Sequence, residues 1–390
     1  MTRLNGSKLN HFDIYKAQSK AWSILSRSYK NKRVASTYIF HGLEGLGQWP
    51  LALSFAALLN CEHPAKSDDA RHPFYPCGEC RNCRNIFSHN FEGLHIVVPI
   101  TAHKNHGEAI DLTNEFLEMK RAEPLKRQSS AKPVSIPIDM AREVKKTLSR
   151  LSGEGITRVV LFYRMEKMLP SSADALLKLI EEPPSDTVII QTAERPEVLL
   201  PTVQSRAQLI RMERVPVEVI IDYLQKNYDL ESQKAQLLAR ISEGLPGLAL
   251  DMAAGVDDEE GSSRTVGFLL FKALLIDSGP KVVSLLTDLV NDRDRSEAEE
   301  LLRLWQSLIR DSAYYAVSDD SDGLVNIDFA PELIKLSRFF INAEVAETMT
   351  ADIKNTLADF RVNVHIQAAL VALVLQLKKR LRPGQKQNKR

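Results

Sequence analysis

The chain has 390 residues, 26% of them charged, and a formal net charge of +1. That length suggests two or three domains, and the near-neutral balance excludes a global field of the kind that marks a nucleic-acid or membrane binder, so any DNA contact must come from a local patch. The longest apolar segment, Ala368 to Leu375, is too short to span a bilayer, and the N-terminus has no apolar signal region, so a cytoplasmic location is expected. Residues Met1 to Arg33 are polar and basic, with spaced apolar positions at Ile14, Trp22, Ile24 and Leu25 that suggest a helix leading into a first strand. Tyr38-Ile39-Phe40 is that strand. The run His41 to Pro50 follows, then Leu51 to Leu59, which has helix composition with Pro50 placed for its first position. Strand, glycine loop, helix is the frame of a phosphate-binding loop, G-x-x-x-x-G-K-[ST]. Gly42 and Gly47 keep the spacing, with Gly45 between them, but Gln48 stands at the lysine position and Trp49 at the Mg²⁺-holding hydroxyl. The loop has the shape of a nucleotide site without its charges. An unrelated glycine turn is the plain alternative.

Four cysteines come next: Cys61, then Cys77, Cys80 and Cys83 as C-x₂-C-x₂-C. Four thiolates can close a tetrahedral structural Zn²⁺ site. The stretch between them holds Pro64, Pro73 and Pro76, with Gly78 after Cys77, so it is a loop. A redox C-x-x-C is the alternative, but it does not use a third cysteine at the same interval.

Leu94 to Val98 reads as a second strand ended by Pro99. Thr101 to Lys132 is charged and poor in apolar periodicity, and we expect an inserted loop with some helix near Leu112 to Lys120. Ile138 to Leu151 is an amphipathic helix. Val159 to Phe162 is a continuous apolar strand of the kind buried in parallel sheets. A helix over Ser172 to Glu182, stopped by Pro183-Pro184, precedes strands at Thr187 to Gln191 and Gln208 to Ile210. Strands alternating with helices give an α/β domain with a parallel sheet. After Met212 the strand signals fade into helices at Val217 to Lys226, Glu231 to Glu243 and Gly247 to Ala254, then a helical region from Thr265 to Arg380. There Leu301, Trp305, Leu308, Ser312 and Tyr315 form a stripe read as packing core. The tail from Lys378 to Arg390 is basic.

Across nearly its whole length the sequence resembles the delta-prime family of bacterial DNA polymerase III clamp-loader subunits, which are AAA+ proteins. The resemblance rests on the loop Gly42 to Gln48, the cysteine set, Asp174-Ala175-Leu176-Leu177-Lys178-Leu179-Ile180-Glu181-Glu182-Pro183-Pro184, and Leu200-Pro201-Thr202-Val203-Gln204-Ser205-Arg206-Ala207. Asp174 replaces the family's usual Asn, Ile180 its Leu and Ala207 its Cys. Asn363 to Leu375 looks like the family's final collar helix. The resemblance implies an AAA+ α/β domain over 1–212 with a zinc-binding insertion at 61–83. It further implies a helical lid over 213–262, a helical collar over 263–380 and a basic tail at 381–390. Hydrolysing relatives end the third strand in Asp-Glu and carry a nucleotide-sensing lid arginine. Here Tyr163-Arg164 and Gly247 stand at those places.

Together these departures imply a subunit without ATPase activity of its own and with weak or absent ATP binding. In the family the Ser-Arg pair, here Ser205-Arg206, faces a neighbour, and the arginine acts as a finger on that neighbour's γ-phosphate. The implied partners are the delta and gamma/tau subunits, with the sliding clamp and primer-template DNA engaged through the assembled complex and no membrane. Two other readings are an active gamma/tau-type ATPase and a stand-alone zinc-dependent DNA-binding protein. Gln48 and Trp49 weigh against the first; the near-zero net charge weighs against the second.

Overall fold

The computed structural model describes residues 12–128, 130, 132–148, 155–168, 179–180, 183–254, 263–290, 295–340, 342–360 and 364–381. The chain divides into two compact units, Met1–Ala253 and Ala254–Arg390. The segment 174–184, apart from its residues 179–180 and 183–184, lies outside the described residues, as do most of the helix expected at 172–182 and the tail beyond Leu381.

The first unit is built on five parallel strands: β1 Thr37–His41, β2 Leu94–Val97, β3 Arg158–Phe162, β4 Thr187–Ala193 and β5 Gln208–Arg211, in the order β2-β3-β4-β1-β5. All residues of β3 and β4 are buried, as apolar runs with both faces covered require, while the edge strands β2 and β5 are only partly buried. Between β1 and its neighbours β4 and β5 the strand order reverses, which places the loop after β1 at the switch point where open α/β sheets bind ligands.

Helix α1 (Ser19–Lys30) leads in as expected. Helix α2 runs Gln48–Leu59 and is buried from Gln48 to Leu58, an apolar cylinder inside the unit. It starts earlier than its composition suggests, so Pro50 is its third residue and not its first. The first-turn N–H groups lack intrahelical partners, so proline costs no hydrogen bond there either. Helix α3 is Arg81–Phe87.

The expected insert loop is mostly a 17-residue helix, α4, His106–Ala122. Asn105 caps it by accepting from Glu108 N, and Glu108 reaches back to Lys104 N. Its buried face is Ala109, Thr113, Phe116 and Lys120, a helical period hidden by being only half apolar. Helix α5 is Ile138–Leu148. The unit closes with α6 Val217–Tyr228, α7 Ser232–Ile241 and α8 Pro246–Ala254.

The second unit is helical: α9 Ser263–Ile276, α10 Gly279–Val290, α11 Arg295–Ser318, α12 Ala330–Leu336, α13 Ala343–Asp359 and α14 Ile366–Leu381. Leu301, Trp305, Leu308 and Ser312 of the stripe on α11 are buried and Tyr315 half-buried. Trp305 satisfies its indole by donating to Gly267 O at 3.0 Å. Among the described residues no helix is long and apolar enough to cross a membrane.

Candidate functional site

The glycine loop needs left-handed backbone at Gly47, the N-cap of α2, where φ is 101°. Directly after it, the Gln48 amide turns back and donates to Gly42 O at 2.9 Å and Leu43 O at 2.7 Å. A lysine here would reach outward to phosphate; Gln48 instead ties the loop to itself. Trp49 is buried edge-on against His89, Phe116 and Tyr163, with centroids 5.4 to 5.6 Å away. What remains of the concavity is a cavity of about 10 Å³ bordered by Glu44, Gln48, Arg164, Glu166 and Glu194. That holds about one water. A phosphate entering it would meet three carboxylates and one guanidinium.

Glu44, inside the loop, is the centre of a polar network that residue patterns did not reveal. Its carboxylate accepts from Tyr163 Oη at 2.8 Å and from Gln128 N at 2.7 Å, and pairs with Arg164 Nη1 at 3.1 Å. Arg164 also meets Glu166 at 3.4 Å, and its own N–H donates to Thr192 Oγ1 at 2.8 Å. Thus Arg164, just past the end of β3, has an internal counter-ion. Lys120 of α4 donates to Lys126 O at 2.5 Å and to Tyr163 Oη at 3.3 Å, and lies over the rings of Trp49, Phe116 and Tyr163. Burial pushes the Lys120 ammonium down to about 8, with the Glu44 charge opposing. Burial, then Glu44, pushes the Tyr163 phenol well up. Burial also raises the Glu166 carboxyl.

Helix α8 rests on this loop. Gly247 N donates to Gly45 O at 3.0 Å, and a Cβ at Gly247 would come within 2.6 Å of Leu125 O and 2.7 Å of Gly45 Cα. No side chain fits at Gly247. Arg127 pairs with Asp251 of α8 at 2.5 Å, beside Gly45. Gly42, Gly45 and Gly47 therefore line a loop that is closed from below by Gln48, from the side by Arg164 and from above by α8.

The cysteines converge as expected. The Sγ atoms of Cys61, Cys77, Cys80 and Cys83 all lie within 4.8 Å of one another, with Cys77 and Cys83 at 3.9 Å. Sulfurs around one tetrahedral Zn²⁺ with 2.3 Å bonds stand about 3.8 Å apart. Backbone N–H groups already point at the sulfurs: Cys77 N to Cys61 at 3.2 Å, Cys80 N to Cys77 at 3.3 Å and Cys83 N to Cys80 at 3.4 Å. Burial pushes the Cys61 thiol up to about 11 and Cys83 higher, so a cation must displace their protons to bind. The donor set fits a thiophilic tetrahedral ion, which all four residues could hold together.

Ser205 and Arg206 are exposed, just after the turn Pro201–Gln204 and just before β5. Arg206 Nη1 donates to Thr202 O at 3.1 Å, as does Ser205 Oγ. Since β5 runs parallel to β1 with Gln208 beside Tyr38, Arg206 lies at the start of these strands and the glycine loop at their far end. Four strand residues separate the two, about 13 Å. The pair and the loop are not one site.

A parallel sheet in the order β2-β3-β4-β1-β5, with a glycine loop after β1, three helices α6 to α8 following the sheet and a helical C-terminal unit, defines an AAA+ type P-loop protein. Within that class, a family profile described as DNA polymerase III, delta subunit matches residues 17–216, about half of the chain, and the chain belongs to this family. It is 24% identical over 262 residues to the DNA polymerase III subunit delta-prime of Bacillus subtilis, covering 67% of this chain and 66% of that one. It is 28% identical over 194 residues to the Pseudomonas aeruginosa delta-prime subunit, covering 50% and 47%. The tau subunit of Escherichia coli is 24% identical over 290 residues, covering 70% and 39%. The matched stretches thus span about half to two thirds of the delta-prime relatives. A gamma-subunit-related protein from Thermotoga maritima overlaps 74% of this chain and 95% of its own at 16% identity, with a TM-score of 0.31.

Proposed function

We propose that the chain is a delta-prime-type clamp-loader subunit that does not hydrolyse ATP. It would assemble with delta and gamma/tau subunits, help load the sliding clamp onto primed DNA, and supply Arg206 to a neighbour's ATP. The observation that carries the first part is the loop itself: Gln48 and Arg164 fill the phosphate site, and Gly247 leaves no room for a sensing side chain. The gamma/tau-type reading has support from relatives named tau, but it requires phosphate to displace these side chains without a lysine to hold it. In this reading Zn²⁺ is structural, held by Cys61, Cys77, Cys80 and Cys83, and the lid begins after residue 212 and the collar after residue 262. The test is made on purified full-length chain, alone and mixed with a gamma/tau-type subunit. We expect no ATP turnover alone and a stable co-eluting complex in gel filtration. Turnover by the chain alone, abolished by a Gly47 substitution that excludes contaminants, would overturn the non-hydrolysing reading.

A further inference from the structure

From Ser19 to Ser36 the chain carries five cations and no acid. Lys20 pairs with Glu213 at 2.7 Å. Arg27, Lys30, Lys32 and Arg33 are exposed and meet no carboxylate among the described residues. Arg27 Nε only donates to Ser23 O within its own helix, at 3.1 Å. The chain reverses at Lys32, where φ is 54°, and Arg33 N bonds back to Ser28 O, so the four cations gather around the end of α1. The negative end of the helix dipole stabilises such a group without carboxylates.

The fold adds a fifth cation. A two-stranded ribbon, Ala65–Lys66 with Phe74–Tyr75, packs on α1. Ser26 Oγ exchanges 2.9 Å hydrogen bonds with the Phe74 backbone, and the Tyr29 ring meets Phe74 edge-on at 5.5 Å. Lys66 lies opposite Phe74 in the ribbon, exposed, with no carboxylate partner among the described residues. The acids on this approach, Glu62 and Asp68, are exposed too and pair with none of the five.

We propose that this face binds the phosphodiester backbone of nucleic acid directly, through Arg27, Lys30, Lys32, Arg33 and Lys66 arranged around the Tyr29–Phe74 pair. An acidic protein partner is the competing occupant. The centre of a protein interface is depleted of charge and enriched in aromatic and apolar side chains, whereas this face is dense in cations and exposes no large apolar side chain at residues 12–42 or 65–75 among the described residues. Fixed phosphates need only unbalanced cations. The face belongs to this chain alone, so the inference does not rest on assembly into a clamp loader or on the state of the glycine loop.

The experiment is fluorescence anisotropy of the full chain with labelled oligonucleotides of about 30 nucleotides, one single-stranded and one duplex, between about 50 and 200 mM salt. Five contacts give an expected slope of log K against log salt of about −3.5 for the single strand and about −4.5 for the duplex. The combined variant Lys30→Glu, Lys32→Glu and Arg33→Glu should reduce the single-strand slope by about 2 and weaken binding at low salt at least about tenfold. Lys30→Arg with Lys32→Arg should bind like the wild type, as should Lys354→Glu in the second unit. All these side chains are exposed, so thermal midpoints should fall only slightly in the triple variant, by the loss of the cation–dipole contacts, and stay unchanged in the others. The proposal is overturned by an unchanged slope in the triple variant, by failure of the wild type to bind either oligonucleotide at the lowest salt, or by binding of polyglutamate in preference to both.

Discussion

Lys120 holds an ammonium group in the interior between three aromatic rings. Burial lowers its folded-state value from 10.5 to about 8. Between about 8 and 10 the unfolded chain therefore binds more protons than the folded one, and stability rises with pH in that window. Above about 10 the buried Tyr163 phenol, pushed the other way, reverses the sign. The shift corresponds to at most roughly 3 to 4 kcal/mol, less what the ring faces return. Urea unfolding should accordingly show the wild type gaining stability from about pH 8 to 9.5 relative to Lys120→Met, and equal pH slopes for the two would remove Lys120 from the account. Nothing in the sequence marks Lys120, because a lysine on a charged helix reads as solvated. Glu44 was equally hidden: it sits inside a glycine motif whose pattern treats its position as free. The sequence did show that Gln48 and Trp49 depart from the phosphate-loop spacing, and the family resemblance singled out Arg164 and Gly247. It could not show what fills their place, because Glu44, Lys120 and Tyr163 meet only through tertiary packing.

The glycine loop and α8 form one packed pair, and Gly247 is where they touch. Gly247→Ala puts a methyl group against two backbone atoms at 2.6 and 2.7 Å, neither of which can swing away. The expected cost is about 1 to 3 kcal/mol, read as a lower thermal midpoint. A Gly247→Ala protein as stable as the wild type would mean that α8 moves freely off the loop. The sheet was legible strand by strand, because runs such as Val159 to Phe162 bury both faces and leave no polar alternation to misread. Helix α4 was not, since its buried stripe uses Ala109, Thr113 and Lys120 beside a single Phe116. The four cysteines were legible for the opposite reason. Thiol spacing is dictated by coordination and owes little to packing. Elemental analysis of protein purified without chelator should give about one zinc per chain, and stripping it should expose residues 61–83 to protease first. Metal-free protein with the same protease resistance would show that the hydrogen bonds to sulfur suffice on their own.

At the scale of the whole molecule, the sheet keeps Arg206 and the chain's own glycine loop at opposite ends of parallel strands. An arginine so placed cannot serve its own loop, and that loop is filled in any case. If Arg206 acts in chemistry, the phosphate must belong to another chain. A departing γ-phosphoryl group gains negative charge, and a planar, permanently charged guanidinium suits it better than an ammonium. Arg206 is exposed and bonds within its chain to Thr202 O, so Arg206→Ala should leave the subunit folded and able to assemble. It should slow ATP hydrolysis at the single adjoining site of a reconstituted loader, by roughly 10³ or more if the finger carries its usual weight. If the other sites of such a loader do not depend on this chain, steady-state turnover would fall by only a fraction, and single-turnover hydrolysis would show one slow phase. Arg206→Lys should resemble Arg206→Ala, since a point charge does not reproduce the bidentate fork. Gel filtration establishes assembly before rates are compared. If both variants assemble and every phase keeps the wild-type rate, Arg206 is an interface residue and not a finger.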